Sequence, residues 1–257
     1  MAAGLVAVAG QRAAKPATQV TRDAPITVTE SGEPGYVSRG GRKLAGALEV
    51  FGGIRGVAPP GQQSAPQGLA ITGRACLDAG ASTGGFTDVL LRAGAAHVVA
   101  ADVGYGQLAW SLRTDPRVTV LDRVNVRTLD LVSVSGPWRV PGLVVADLSF
   151  ISLTLVLPAL VRCAAPDADF VLLVKPQFEV GKGRVGAGGV VRETADRSAA
   201  VRRVAQTAAQ LGLGVQGVTA SPLPGPAGNV EYFVWLRRGA APLDEDQLQR
   251  AIEEGPN

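Results

Sequence analysis

The sequence predicts an α/β fold, a mostly parallel seven-stranded sheet with helices on both faces and an antiparallel terminal hairpin. Three observations predict it. Between residues 74 and 211, short apolar runs alternate with longer segments of helical period, the signature of right-handed crossovers in a parallel sheet. A glycine-rich turn, Leu77-Asp78-Ala79-Gly80-Ala81-Ser82-Thr83-Gly84-Gly85-Phe86, falls after the first of these runs and before the first helix. Beyond residue 211 two apolar runs are separated only by a Pro/Gly loop, which is too short for a crossover and forces antiparallel pairing.

In chain order, residues 1–30 hold two short strand candidates, at 4–10 and 25–28. Residues 31–42 (SGEPGYVSRGGR) are rich in Gly and Ser and read as a linker. Residues 43–50 have helical period. Residues 52–68 contain Pro59, Pro60, Gly61 and Pro66 and read as a surface insertion. From there strands are expected at 75–78, 98–102, 118–121, 143–147 and 170–175, and helices at 85–92, 107–113, 153–161 and 195–211. The hairpin takes 215–221 and 229–237. The main domain is thus expected over 43–238, with 239–257 a polar, peripheral tail.

Composition narrows the function classes. With 257 residues, 46% of them hydrophobic and 18% charged, the chain has material for one large core and a small appendage. A net charge of +3 and a pI near 9.1 permit an RNA partner without demanding one. Cys76 and Cys163 lie in apolar runs and read as buried thiols of a reduced, cytoplasmic protein. His97 is the single histidine and has no neighbour at ligand spacing, so no metal site is expected. Residues 142–161 carry one charge, Asp147, and are long enough to span a membrane. The Val-Val start and the polar Asp147 and Ser149 resolve that stretch into strand, loop and helix, and no membrane association is expected. No obligate protein partner is expected either.

The glycine turn suits a nucleoside cofactor, because glycine lets the backbone come close to a ligand. Asp102 ends the next predicted strand, where a carboxylate accepts hydrogen bonds from ribose hydroxyls. Ser82 occupies the position at which a dinucleotide site needs its second glycine. That substitution and the terminal hairpin disfavour an NAD(P)-dependent oxidoreductase. Asp78, just before the turn, repels a pyrophosphate and suits a sulfonium or an amino group. S-adenosylmethionine is therefore the expected cofactor.

The fourth predicted strand ends Asp147-Leu148-Ser149-Phe150. It lacks the Asn/Asp-Pro-Pro-aromatic turn used for methylating exocyclic amines. Methylation of a pyrimidine carbon needs a nucleophilic cysteine, and both cysteines fall inside predicted elements. Lys175 ends the fifth strand. Strand ends on one side of a parallel sheet share a rim, so Asp147 and Lys175 should meet there, with Lys175 placed to take a proton from a hydroxyl.

The stretches YVSRGGRKLAGALE, CLDAGASTGGFTDVLL, AAHVVAADVGYGQLAWSLRTDPRV, VVADLSFISL, LLVKPQFEVGKGRVGAGGVV and SPLPGPAGNVEYFVWL span most of residues 36–237. In them the sequence resembles the TlyA family of 16S/23S ribosomal RNA (cytidine-2′-O)-methyltransferases, within the wider FtsJ-like group. The resemblance implies a class I, Rossmann-like methyltransferase that modifies a ribose 2′-hydroxyl of ribosomal RNA in ribosomal subunits. It implies a Lys-Asp-Lys-Glu tetrad at Lys43, Asp147, Lys175 and Glu231. Lys175 would deprotonate the hydroxyl, Asp147 would orient that lysine, and Lys43 and Glu231 would fix the array. Implied cofactor contacts are Gly80, Ala81, Ser82, Thr83, Gly84, Asp102, Val103 and Asn125, together with Asp78, Gly85 and Asp147. For Asn125 a simple turn role is an equal alternative. Lys182 and Arg184 would grip phosphates from a Gly-rich loop, or else be solvated there, and Arg39 and Arg42 would add charge. Phe178 is either a stacking or a core aromatic.

The family's S4-type RNA-binding module precedes this domain. Residues 1–30 resemble only its last part, with Lys15-Pro16-Ala17-Thr18 after the first strand and Leu5 and Ala7 at positions where basic residues would help. Weaker or less selective ribosome binding is the corresponding expectation. The rival reading, a non-catalytic RNA-binding or haemolysin-like protein, is disfavoured by the intact tetrad and the lack of a convincing membrane segment.

Overall fold

The computed structural model describes residues 6–8, 11–12, 20–21, 24–28, 35–52, 68–131 and 139–256. They fall into two compact units, Met1–Tyr36 and Val37–Asn257. The smaller unit is a three-stranded antiparallel sheet of β1 (Val6–Val8), β2 (Gln11–Arg12) and β3 (Ile26–Val28), in the order β2-β1-β3. Two of these strands coincide with the expected ones, and β2 is additional. Leu5 and Lys15 to Thr18 lie outside the described residues, as do residues 53–67, which include most of the expected insertion.

The larger unit opens with α1 (Arg39–Val50) and continues through β4 (Ala75–Ala79), α2 (Gly85–Arg92), β5 (His97–Ala101), α3 (Trp110–Arg113) and β6 (Val118–Leu121). It then runs through β7 (Leu143–Ala146), α4 (Leu153–Cys163), β8 (Asp169–Val174), α5 (Pro176–Glu179) and α6 (Thr194–Gln210), and ends with β9 (Leu213–Ala220), β10 (Tyr232–Arg238) and α7 (Glu245–Glu253). The seven strands are ordered β6-β5-β4-β7-β8-β10-β9. Pairing is parallel from β6 to β8, whereas β10 is antiparallel to both β8 and β9.

Every residue of β7 and β8 is buried, as expected of parallel strands covered on both faces. Each Val or Leu so buried contributes about 1.5–3 kcal/mol, so the rim these strands carry rests on a well-stabilised part of the sheet. The chain builds outward from β4 to β6 on one side, then returns to lay β7 and β8 on the other. A crevice opens at such a reversal, beyond the carboxyl ends of the strands.

Three expectations need correction. The linker is shorter than 31–42, because helix α1 already begins at Arg39. Gly40 and Gly41 weaken helical propensity and so disguise its first turn, and α1 there packs closely on Gly85 at the start of α2. A Cβ on Gly85 would lie 2.7 Å from Gly41 N and even closer to Ser38 Oγ. The tail is not merely peripheral: α7 buries Leu248, Ala251 and Ile252 in the main core. Their i, i+3, i+4 spacing is helical, and Asp244 caps the helix by accepting from Asp246 N and Gln247 N. The helix expected at 107–113 shrinks to Trp110–Arg113.

Residues 142–161 form β7, a turn and α4, and among the described residues no helix is long and apolar enough to cross a membrane.

Candidate active site

The glycine turn is built by backbone geometry. Gly80 N and Ala81 N both donate to Ala101 O, at 2.8 and 3.2 Å, tying the turn to the end of β5. Gly80 has φ +85°, and a Cβ there would lie 2.7 Å from Asp147 O. Only glycine lets the end of β4 pass so close to the end of β7. Gly84, at φ +98°, starts α2 against Leu108 and Leu112. Ser82 is left-handed without being glycine (φ +48°), and its N–H donates to Asp102 Oδ2 at 2.8 Å. Gly104 N donates to Asp102 Oδ1 at 2.7 Å. Asp102 is thereby held rigidly, and each carboxylate oxygen retains a lone pair for a further donor.

Asp102 and Val103 line a cavity of about 460 Å³ with Gly80, Ser82, Asn125 and Leu148. Asn125 is both wall and cap, since its side chain accepts from Arg127 N. Asp78 lies behind the turn and lines neither of the cavities described here. It is fully buried, accepts from Thr87 Oγ1 at 2.7 Å through Oδ2, and leaves Oδ1 without a partner.

Burial pushes the Asp78 carboxyl up to about 7, against the lowering effect of the Thr87 hydrogen bond. A carboxyl whose folded pKa exceeds its unfolded one stabilises the fold fully below the unfolded value and loses that contribution as pH rises through about 7. Between pH 4 and 8, unfolding free energy should therefore fall more steeply in the wild type than in Asp78→Asn. Urea titrations across that range measure the difference, and parallel curves would contradict it. Glu179, whose pKa burial also raises, is common to both proteins and cancels.

A second cavity, about 260 Å³, is lined by Arg39 and Lys43 from α1, by Asp147 and Ser149 after β7, and by Lys175 after β8. Gly80, Ser82, Asp147 and Ser149 line both cavities, which therefore adjoin. Lys43 is 6% exposed, and its Nζ lies 2.5 Å from Oε2 of Glu231, which is fully buried just before β10. Lys175 is 8% exposed; its Nζ pairs with Asp147 Oδ1 at 2.7 Å and directs a hydrogen bond to Ser149 Oγ at 2.8 Å. The four tetrad residues thus arrive from four separate elements and form two ion pairs at one rim. β10 inserts beside β8, pairing Tyr232 with Val174, and this places Glu231 next to the segment that carries Lys175.

Three further contributors carry no local sequence signal. Ser149, a plain polar turn residue in sequence, accepts from Lys175 Nζ. Glu179 accepts from Ser152 Oγ at 2.5 Å and from Leu153 N at 2.7 Å, fastening the turn after β7 to the helix after β8. Asn229 accepts from Val191 N and donates to Gly189 O, anchoring the Gly-rich segment to the approach of β10. Nothing local in the sequence marks these partners, which are 26 to 40 residues apart.

Of the expected RNA contacts, Arg39 lines the smaller cavity and Arg42 is exposed on α1. Arg184 is exposed and pairs with Asp196 at 3.0 Å. The side chain of Lys182 lies outside the described residues. Phe178 is half-buried with its ring 5.4 Å from that of Phe150, which is 92% exposed and left-handed (φ +65°). Burial pushes the Cys76 thiol up to about 12 and raises Cys163 as well, so neither serves as a thiolate nucleophile at neutral pH.

The sheet order, the antiparallel insertion of β10 and a ligand crevice at the reversal point together define a class I methyltransferase fold. Residues 36–238 match the FtsJ-like methyltransferase family, and the chain belongs to it. Within that family it is 58% identical to the 16S/23S rRNA (cytidine-2′-O)-methyltransferase TlyA of Mycobacterium tuberculosis, over 99% of this chain and 90% of the relative. It is 34% identical to Hemolysin A of Brachyspira hyodysenteriae, over 90% of this chain and 88% of that one. A solved protein of Streptococcus thermophilus that carries a hemolysin label superposes with a TM-score of 0.79 at 35% identity, covering 98% of this chain and 86% of its own.

Proposed function

We propose that this chain transfers a methyl group from S-adenosylmethionine to the ribose 2′-hydroxyl of a cytidine in ribosomal RNA. The observation that carries the reading is the convergence of Lys43, Asp147, Lys175 and Glu231 on a cavity that adjoins the one beside the glycine turn.

The residues fit the cofactor. Gly80 and Ser82 of the turn, with Asp102, Val103 and Asn125, line the cavity that would hold it, and at Gly80 a Cβ would strike the backbone of Asp147. S-adenosylmethionine bound there supplies an electrophilic methyl group. Lys175, once its ammonium has released a proton to water, accepts the 2′-hydroxyl proton, so the O–H bond breaks as an N–H bond forms. Asp147 holds Lys175 in place, and the Lys43–Glu231 pair keeps a cation at the mouth of the same cavity to orient the hydroxyl. Lys182, Arg184, Arg39 and Arg42 supply salt-dependent phosphate contacts, and Phe150 and Phe178 offer aromatic faces to an unstacked base. Residues 1–30 act as an S4-like RNA-binding element ahead of the catalytic unit Val37–Asn257. The reaction takes place in the cytoplasm, on ribosomal subunits.

The test is incubation of the protein and S-adenosylmethionine with each ribosomal subunit, followed by mass-spectrometric mapping of the RNA. A cytidine should gain one methyl on its ribose. A methyl group on a base, or none, would refute the assignment.

A further inference from the structure

We infer that Ser149 is a positioning residue for Lys175, aiming the lone pair of that lysine at the substrate hydroxyl. The inference rests on the function proposed above, in which Lys175 receives the proton. A neutral amine has two N–H bonds and one lone pair in tetrahedral array. Two oxygens flank Lys175 Nζ: Asp147 Oδ1 faces it at 2.7 Å as a charge partner, and Ser149 Oγ accepts a hydrogen bond from it at 2.8 Å. The hydrogen bond to Ser149 arrests rotation about the Cε–Nζ bond, which the charge contact with Asp147 leaves free, and so sets the direction left for the lone pair. With Asp147 alone, the amine rotates and presents an N–H to the hydroxyl for part of the time. Once the proton has moved, the same two oxygens stabilise the ammonium, and hydrogen bonds to a charged group are the stronger kind.

Ser149 is itself held to this task. Phe150, the next residue, is locked at φ +65°, a conformation that a bulky side chain adopts only under constraint. Two residues further on, Glu179 binds Ser152 Oγ and Leu153 N, closing the turn against α5. The hydroxyl of Ser149 therefore stands at the junction of the two cavities, where cofactor methyl and ribose oxygen must meet. The tetrad by itself leaves the direction of the Lys175 lone pair undetermined.

The experiment compares wild type with Ser149→Ala, Ser149→Thr, Lys175→Ala and the Ser149→Ala/Lys175→Ala double variant. Methylation of ribosomal subunits gives kcat and KM, and calorimetry gives S-adenosylmethionine affinity. In Ser149→Ala, kcat should fall by about 10- to 100-fold with KM and cofactor affinity unchanged, the size expected for misplaced proton transfer. Ser149→Thr keeps the hydroxyl and should retain most of kcat. The double variant should be no slower than Lys175→Ala, because the serine has nothing left to position. Wild-type kcat in Ser149→Ala, or lost cofactor binding in it, overturns the role of Ser149 while leaving that of Lys175. Full activity in Lys175→Ala removes the lysine from the mechanism and the inference with it, whereas absence of 2′-O-methylation by the wild type overturns the proposed function on which the inference rests.

Discussion

Lys175→Ala should bind S-adenosylmethionine as the wild type does and transfer methyl groups about a thousand-fold more slowly, the scale of a lost general base. The lysine lies beyond the cradle formed by Gly80, Asp102 and Asn125 and is absent from the walls of that cavity, so cofactor affinity has no reason to change. Stability should change little. The partner left behind, Asp147, has a side chain 24% exposed, and water can solvate its charge. Lys175→Arg should be nearly as slow, because a guanidinium does not give up its proton to become a base. Calorimetry for the cofactor and single-turnover methylation separate the two effects. Methylation at the wild-type rate by Lys175→Ala would remove the lysine from the mechanism.

The other ion pair should behave in the opposite way. Glu231→Ala strands the Lys43 ammonium at a site where the two side chains are 8% and 1% exposed. Truncating one partner of a buried pair costs about 3–5 kcal/mol, chiefly the burial of an uncompensated charge. Unfolding in urea should show that loss, and with it comes a loss of methyl transfer. Removing both charges tells the two roles apart. Lys43→Met/Glu231→Leu should recover most of the stability, since apolar replacements of buried pairs are often neutral or better, and should stay inactive. An active double variant would reduce this pair to a structural element. A Glu231→Ala protein as stable as wild type would show that water reaches the lysine.

Much of this was legible beforehand. Strand positions at 75–78, 98–102, 118–121 and 143–147 agree with the structure to within a residue or two, because buried parallel strands are short, apolar and bounded by turns. Element ends were less visible. The first turn of α1 was hidden by two glycines, and α7 was hidden by a polar composition that outweighed its three apolar anchors. In α1 tertiary packing overrode a local propensity worth about 1 kcal/mol per glycine, and in α7 burial of the three anchors in the core decided the helix.

The sequence by itself determined the alternation of strands and helices, the glycine turn and the four tetrad side chains, since each is a local pattern or carries a recognisable resemblance. Only the tertiary structure decided that β10 slips between β8 and β9 to bring Glu231 onto Lys43, that Asp78 sits behind the turn, and that Ser149 and Glu179 complete the surroundings of Lys175. The physical reason is range. A turn or an amphipathic period is written in neighbouring residues, whereas Lys43 and Glu231 meet across 188 positions, and only the folded sheet sets which distant charges share one desolvated site.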